Sequence, residues 1–318
     1  MQEPPVRVVT VTPNPAIDWT LVVPGFAAGR VNRVESERSH AAGKGVNVAA
    51  ALAGHGVRAA ATGFLGRDNA APFEALFARA GIADRFVRVP GATRVGIKVA
   101  DPAGRQTTDL NFPGLAPGAA GVRALLDVVA ELAAGEPRPW LVLAGSLPPG
   151  VEPTLYRDLA RSLREAGCPV VVDASGEPLR HALDAAPRVV KPNVHELEAL
   201  LGEPLPTPEA VLRAARSLLA RGVELAAVSM GEEGALFAER GEAVLAVPPR
   251  VEVRSTVGAG DAMVAGIVAA RLRGLPLPEL ARLATAFSLD ALTRDPSEPP
   301  SPAAVEGWAA RVEVRDAG

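Results

Sequence analysis

Five short, unbroken apolar runs with helical patterns between them constrain this chain more than any other feature. They are Val6-Arg7-Val8-Val9-Thr10-Val11-Thr12, Trp140 to Ala144, Pro169-Val170-Val171-Val172-Asp173, Arg188-Val189-Val190 and Glu224 to Ser229. The segments between them, such as 153–167 and 207–221, repeat apolar residues at spacings of three and four, which is the period of a helix with one buried face. Strands apolar on both sides and joined by helices indicate a mostly parallel sheet covered on both faces, an α/β fold. Ligands of such sheets collect at the carboxyl ends of the strands. The 318 residues suit one large domain with an appendage better than two full domains.

Two stretches break the rhythm. Residues 15–37 hold a brief apolar run followed by glycines and charges, and residues 84–113 contain a clean alternation. Arg94 and Lys98 fall on one face there, and Val95, Ile97 and Val99 on the other. That is the pattern of a half-exposed antiparallel sheet, read as a small β-sheet inserted into the main domain, a lid, a dimer surface or both. The segment Pro296 to Pro302 reads as a surface loop.

Composition removes whole classes. Lys and Arg number 33 against 36 Asp and Glu, a net charge of −3, and aromatics are 4%. Nucleic-acid binding wants a basic excess or stacking rings, and neither is present. With Cys168 as the single cysteine, no internal disulfide can form, and its apolar surroundings suggest a buried structural thiol. The first residues show no leader pattern, and no apolar run reaches the length of a membrane span. The expectation is a soluble cytoplasmic protein.

The chemistry concentrates in Gly-rich segments that open helical patterns. Ser255-Thr256-Val257-Gly258-Ala259-Gly260-Asp261-Ala262 follows a β-like stretch. Gly258 and Gly260 let a ligand approach the backbone, and free N–H groups at a helix start favour negative charge. An acid there repels phosphate, so it makes sense as a base beside amides that stabilise a transferring phosphoryl group; an ordinary first-turn helix acid fits the same residues. Gly43-Lys44 is followed by Gly45, which excludes a Walker A loop, and Met263 stands where a dinucleotide fingerprint needs glycine.

In Lys191-Pro192-Asn193-Val194-His195-Glu196, Asn193 and Glu196 have capping-box spacing. Alternatively Lys191 and Asn193 face a nucleotide, with Glu196 organising Mg²⁺ through water. His195 is expected to face solvent. Gly43, Lys44 and Asn47 form a nest with a cation suited to a small substrate's hydroxyls and anionic group. Asp18, just past the first strand, can accept hydrogen bonds from sugar hydroxyls. Ser229, Gly231 and Gly234 form a strand-and-turn suited to one wall of an adenine site.

In this order, Thr12-Pro13-Asn14-Pro15, Gly43-Lys44-Gly45, Lys191-Pro192-Asn193 and Val257-Gly258-Ala259-Gly260-Asp261 resemble the PfkB, or ribokinase-like, family of carbohydrate kinases along nearly the whole chain. His40 to Asn47, Gly63 to Asn69 and Thr108-Asp109-Leu110-Asn111-Phe112 are most similar to members that phosphorylate fructose 1-phosphate, with tagatose-6-phosphate kinases next. Ala42 and Ala262 depart from the wider family's Gly and Ser. The resemblance implies one ribokinase-like α/β/α sandwich over 1–318 with a β lid that doubles as a homodimer clasp. It implies transfer of the γ-phosphoryl group of ATP, with Mg²⁺, to a 6-hydroxyl. Asp261 is then the base, and Gly258, Ala259 and Gly260 the anion hole. Lys191, Asn193, Ser229, Gly231 and Gly234 hold ATP, and Asn193 and Glu196 the metal. Asp18, Gly43, Lys44, Asn47 and Asn111 hold the sugar, and Arg94 its phosphate. A non-catalytic sugar-phosphate sensor and, more remotely, an oxidoreductase are the readings from other classes.

Overall fold

The computed structural model describes residues 5–104, 106–295, 298 and 300–318. Of the expected 296–302 loop, positions 296, 297 and 299 lie outside the described residues, as do residues 1–4. All five apolar runs form strands of one large sheet. From one edge to the other its order is Glu313–Asp316, Glu242–Val247, Ala235–Glu239, Leu225–Ser229, Val189–Val190, Val170–Asp173, Trp140–Ala144, Val8–Thr12, Ala59–Gly66 and Ala83–Asp84. Pairing is parallel from Leu225–Ser229 to Ala83–Asp84, and antiparallel through the three strands at the other edge. The central strands are buried along their whole length, as apolar residues on both faces require.

Helices cover both faces. Gly118–Ala133, Leu155–Glu165, Gly176–Ala182, Val194–Leu201 and Pro208–Ala220 pack over one side, where Leu125, Leu141, Leu143, Tyr156 and Leu218 meet in a continuous core. Lys44–Gly54, Ala259–Leu272, Leu277–Thr293 and Pro302–Ala309 cover the other around Val142, Phe237, Ile267 and Phe287. A smaller cluster joins Phe73, Phe77 and Phe86; burying each such ring stabilises by roughly 1.5–3 kcal/mol. Cys168 is 4% exposed, its thiol set against the Ala133 carbonyl, in keeping with a structural role.

The second sheet has the order Ser36–Ala42, Ala16–Val22, Val95–Asp101, Gln106–Asn111. It differs from the expected lid in three ways. The segment beginning at 84 starts in the main sheet, because Ala83–Asp84 and Val87–Val89 both pair parallel with Ala59–Gly66, and Val89 joins the large core. The first lid segment runs on to residue 42. The sheet is also mixed rather than antiparallel: Ala16–Val22 pairs parallel with Val95–Asp101. Cross-strand register puts Asp18, Gly96 and Asn111 side by side on one face, and Trp19, Ile97 and Leu110 side by side on the other.

Candidate active site

The strand-end loops and two helix starts converge at the carboxyl edge of the main sheet. Gly258 caps the Ala259–Leu272 helix with φ 79°, a left-handed conformation that suits glycine. The helix begins three residues before Ala262, where the sequence pattern starts it, so Asp261 sits in its first turn. The first intrahelical bond runs from the Ala262 N–H to the Gly258 carbonyl. The N–H groups of Ala259, Gly260 and Asp261 therefore have no partner within the helix, which is the geometry the expected anion hole requires.

Asp261 is 7% exposed, and its Oδ2 accepts a 2.7 Å hydrogen bond from Asn47 Nδ2. Burial, reinforced by the nearby negative charge of Asp173, pushes its pKa up to about 6, against the pull of Asn47, Lys44 and Lys191. A carboxylate that titrates near neutrality is suited to taking a proton.

Asp173, at the carboxyl end of Val170–Asp173, is the residue that sequence reasoning missed. Its Oδ1 lies 3.0 Å from Lys44 Nζ and 3.5 Å from Lys191 Nζ, so one buried carboxylate ties together two separate segments. Its other oxygen is buried and has no hydrogen-bond partner among the described residues. Burial acts to lower the Lys44 pKa, but Asp173 and Glu196 outweigh it and hold the ammonium charged. The signal lay in the sequence: an acid ending an all-valine strand, where ligands of parallel sheets gather.

Lys191 is 4% exposed and lies beneath the helix mouth, where a Cβ on Gly260 would come within 3.3 Å of its ammonium. It pairs with Asp173 at 3.5 Å, which places it behind the mouth of the expected nucleotide site. Asn193 and Glu196 form the full capping box: Glu196 N–H donates to Asn193 Oδ1 at 2.8 Å, and Asn193 N–H donates to Glu196 Oε2 at 2.9 Å. The remaining Glu196 oxygen, Oε1, is 3.8 Å from Lys44 Nζ. His195 stands out in solvent with its side chain 92% exposed.

A cleft of about 1180 Å³ opens from this centre. It is lined by Asn193, Ser229, Gly231, Gly234, Ala259 and Gly260 on its polar side and by Val251, Val253, Met263, Leu289 and Leu292 on its apolar side. The expected nucleotide residues Asn193, Ser229, Gly231, Gly234 and Gly260 are thus brought together.

Over the other side of the centre hangs the small sheet. Ser36–Ala42 is joined to the Lys44–Gly54 helix by Gly43 alone, which places the sugar candidates Asp18, Gly43, Lys44, Asn47 and Asn111 on contiguous structure. Arg94 anchors the root of this sheet, donating from Nε, Nη1 and Nη2 to the carbonyls of Pro15, Phe112 and Asn14 at 3.1–3.3 Å. Asn14 in turn donates to Ser146 Oγ at 3.2 Å and to the Pro113 carbonyl at 3.1 Å.

A buried carboxylate behind helix-start amides without intrahelical partners, a cleft of nucleotide size and a second sheet are the arrangement expected of a phosphotransferase. The chain belongs to the pfkB family of carbohydrate kinases, whose profile matches residues 10–302, and its architecture is the ribokinase-like sandwich with a lid. It is 50% identical over 311 residues to the 1-phosphofructokinase of Rhodobacter capsulatus, covering 97% of this chain and 98% of that one. The 1-phosphofructokinase of Xanthomonas campestris pv. campestris is 46% identical, with the same coverage. Among solved structures, Escherichia coli phosphofructokinase-2 in complex with fructose-6-phosphate superposes with TM-score 0.88 at 30% identity, covering 96% of this chain and 98% of that chain. The same enzyme's tetrameric inhibited form superposes with TM-score 0.87 at 30% identity and the same coverage.

Proposed function

We propose that this kinase transfers the γ-phosphoryl group of ATP to the 6-hydroxyl of fructose 1-phosphate, giving fructose 1,6-bisphosphate and ADP in the cytoplasm. The observation that carries the chemistry is the buried Asp261 carboxylate, held by Asn47 at the mouth of a helix whose first N–H groups have no intrahelical partner. The likeness to 1-phosphofructokinases along nearly the whole chain supports the choice of sugar.

Asp261 takes the hydroxyl proton as the oxygen forms its bond to the γ-phosphorus, and the bond to the ADP oxygen breaks. The amides of Ala259, Gly260 and Asp261 hold the charge that grows on the phosphoryl oxygens, a reaction governed by position and electrostatics. Asn47 aims the base, while Lys44, fixed by Asp173, adds positive charge beside it. Asp18 and Asn111 hold the sugar from the lid side, and Arg94 takes its phosphate. The lid keeps water from the γ-phosphate, which limits wasteful hydrolysis.

Among the described residues no group of three or more His, Cys, Asp or Glu side chains is placed to cage a metal. Glu196 Oε1, outside the cap, fits Mg²⁺ carried by water and substrate phosphates, the usual habit of that ion. Mg²⁺ bound there supplies charge neutralisation on the donor phosphates. Asn193 gives its side-chain oxygen to the cap, so its part at the metal is to hold Glu196 in place. The assembly we propose is a homodimer through the outer face of the lid, where Trp19 and Leu110 are 37% and 50% exposed.

A panel of acceptors followed by ADP release tests the substrate. Fructose 1-phosphate should give the highest kcat/KM among fructose 1-phosphate, fructose 6-phosphate, tagatose 6-phosphate and fructose. A higher value for any other member overturns the assignment.

A further inference from the structure

We propose that Lys98 is a specificity-determining residue, a second cation that grips the phosphate of the acceptor sugar alongside Arg94. The inference deepens the sugar-phosphate reading above and rests on it.

Lys98 lies on the inner face of the lid. Strand alternation puts Gly96, Lys98 and Ala100 on the face that carries Asp18 and Asn111. The lysine's neighbours along its own strand are therefore a glycine and an alanine, which leave room around the ammonium. Its Nζ is 3.6 Å from Asp18 Oδ2 and 3.5 Å from Asp109 Oδ1. A charge-assisted hydrogen bond is about 2.7–2.9 Å long, so neither carboxylate has drawn the ammonium into one. Its side chain is only 21% exposed, and that of Asp18 13%. The two carboxylates balance its charge at that distance but leave its donors without a short hydrogen bond. Asp109, the cross-strand partner, is 53% exposed, and a pair of that kind contributes little to stability. These two ion pairs tie the ammonium to the lid, but they do not by themselves call for three donors at this position.

The ligand does. Three of the five Arg94 N–H groups are engaged with backbone carbonyls at the lid root, which leaves two. A phosphate monoester carries about −1.5 to −2 charges at neutral pH, and it must bind beside the carboxylate of Asp18. One partly engaged guanidinium does not balance that charge. Lys98 supplies the missing cation and up to three donors. As its ammonium turns from Asp18 to the phosphate, Asp18 Oδ2 becomes free to accept a sugar hydroxyl. One strand pair then reads the phosphate and the hydroxyls together.

The test compares the wild-type enzyme, Lys98→Met and Lys98→Arg. Fructose 1-phosphate is read as a KM, and unphosphorylated fructose as an inhibition constant against it. Lys98→Met should raise the fructose 1-phosphate KM about 10- to 100-fold. Its kcat, its KM for ATP and its inhibition by fructose should stay within about threefold of wild type, and Lys98→Arg should restore most of the affinity. Lys98→Gln takes the place of Lys98→Met if the latter does not fold. An unmoved fructose 1-phosphate KM overturns the proposal, and so does an equal loss for both sugars, which marks a lysine that only shapes the lid. If the wild type prefers another phosphorylated sugar, the substrate reading falls by itself. The lysine is then judged by the same comparison on the preferred phosphosugar and its unphosphorylated form.

Discussion

Asp261 is a carboxylate whose surroundings resist its ionisation, and the consequences can be measured. With a pKa of about 6, the base is lost as pH falls, so kcat/KM should drop about tenfold per unit below that value. Asp261→Asn should keep both substrate KM values within a few-fold and lose about 10²–10⁴ in kcat; near-normal turnover would remove the residue from the mechanism. The same shift has a stability signature of the opposite sense to the usual acid. The folded-state pKa lies above the ordinary 3.8, so ionisation weakens the native state above pH 6, and the penalty is relieved as pH falls from 6 towards 4. Asp261→Asn should therefore melt higher than wild type at pH 8, by at most about 3 kcal/mol in stability, with the gap closing by pH 4. Thermal melts across that range check it, and a variant that melts lower at pH 8 contradicts the burial argument. Asp261, Asn47 and Asp18 were legible in the sequence because each belongs to a short local pattern. Asp173 was legible only as an acid at a strand end; its partners are two lysines from other segments that meet at its oxygen in the fold. Lys191 was legible as a strand-end cation, but its burial under Gly260 depends on the same meeting.

At the scale of elements, the helix carrying Asp261 is buried through most of its length, from Asp261 to Ala270, and it crosses its neighbour at Gly266. A Cβ at Gly266 would come within 2.6 Å of the Ala284 Cα in the Leu277–Thr293 helix, and backbone cannot move aside as a flexible side chain can. Gly266→Ala should cost about 1–3 kcal/mol and lower kcat, because the helix that must shift also aims the base. A melt and a kcat indistinguishable from wild type would show that the crossing has slack. The five apolar strands were readable because burial on both faces leaves no other residue choice. The Ala59–Gly66 strand was not, since Ala-Ala-Ala-Thr-Gly carries little β-branched signal although all eight residues are buried. The start of the expected 84–113 lid segment belongs to the main sheet instead, for a related reason. Two short strands separated by a turn do not reveal their partner, and here the partner is that same alanine-rich strand.

For the whole molecule, the lid leaves a row of apolar side chains facing outward. Trp19, Ile97 and Leu110 lie side by side across three strands, and an uncovered apolar row of this kind supports the proposed dimer surface. Trp19→Lys combined with Leu110→Lys should convert a dimer to monomer in sedimentation velocity, with the main domain still folded by circular dichroism. A wild-type chain that sediments as a monomer at micromolar concentration contradicts the clasp. The lid's existence was legible from its alternating pattern, but its mixed pairing was not, because alternation reports which face is buried and not the direction of the neighbouring strand.

One joint in the chain bears on all of this. Gly43 is the only residue between the Ser36–Ala42 strand and the helix bearing Lys44 and Asn47. So short a tether acts as a bell-crank: any tilt of the small sheet would pull on the helix whose Asn47 amide donates to Asp261. If the proposed acceptor binds under that sheet, its arrival would be felt at the Asp261 carboxylate through the covalent chain itself.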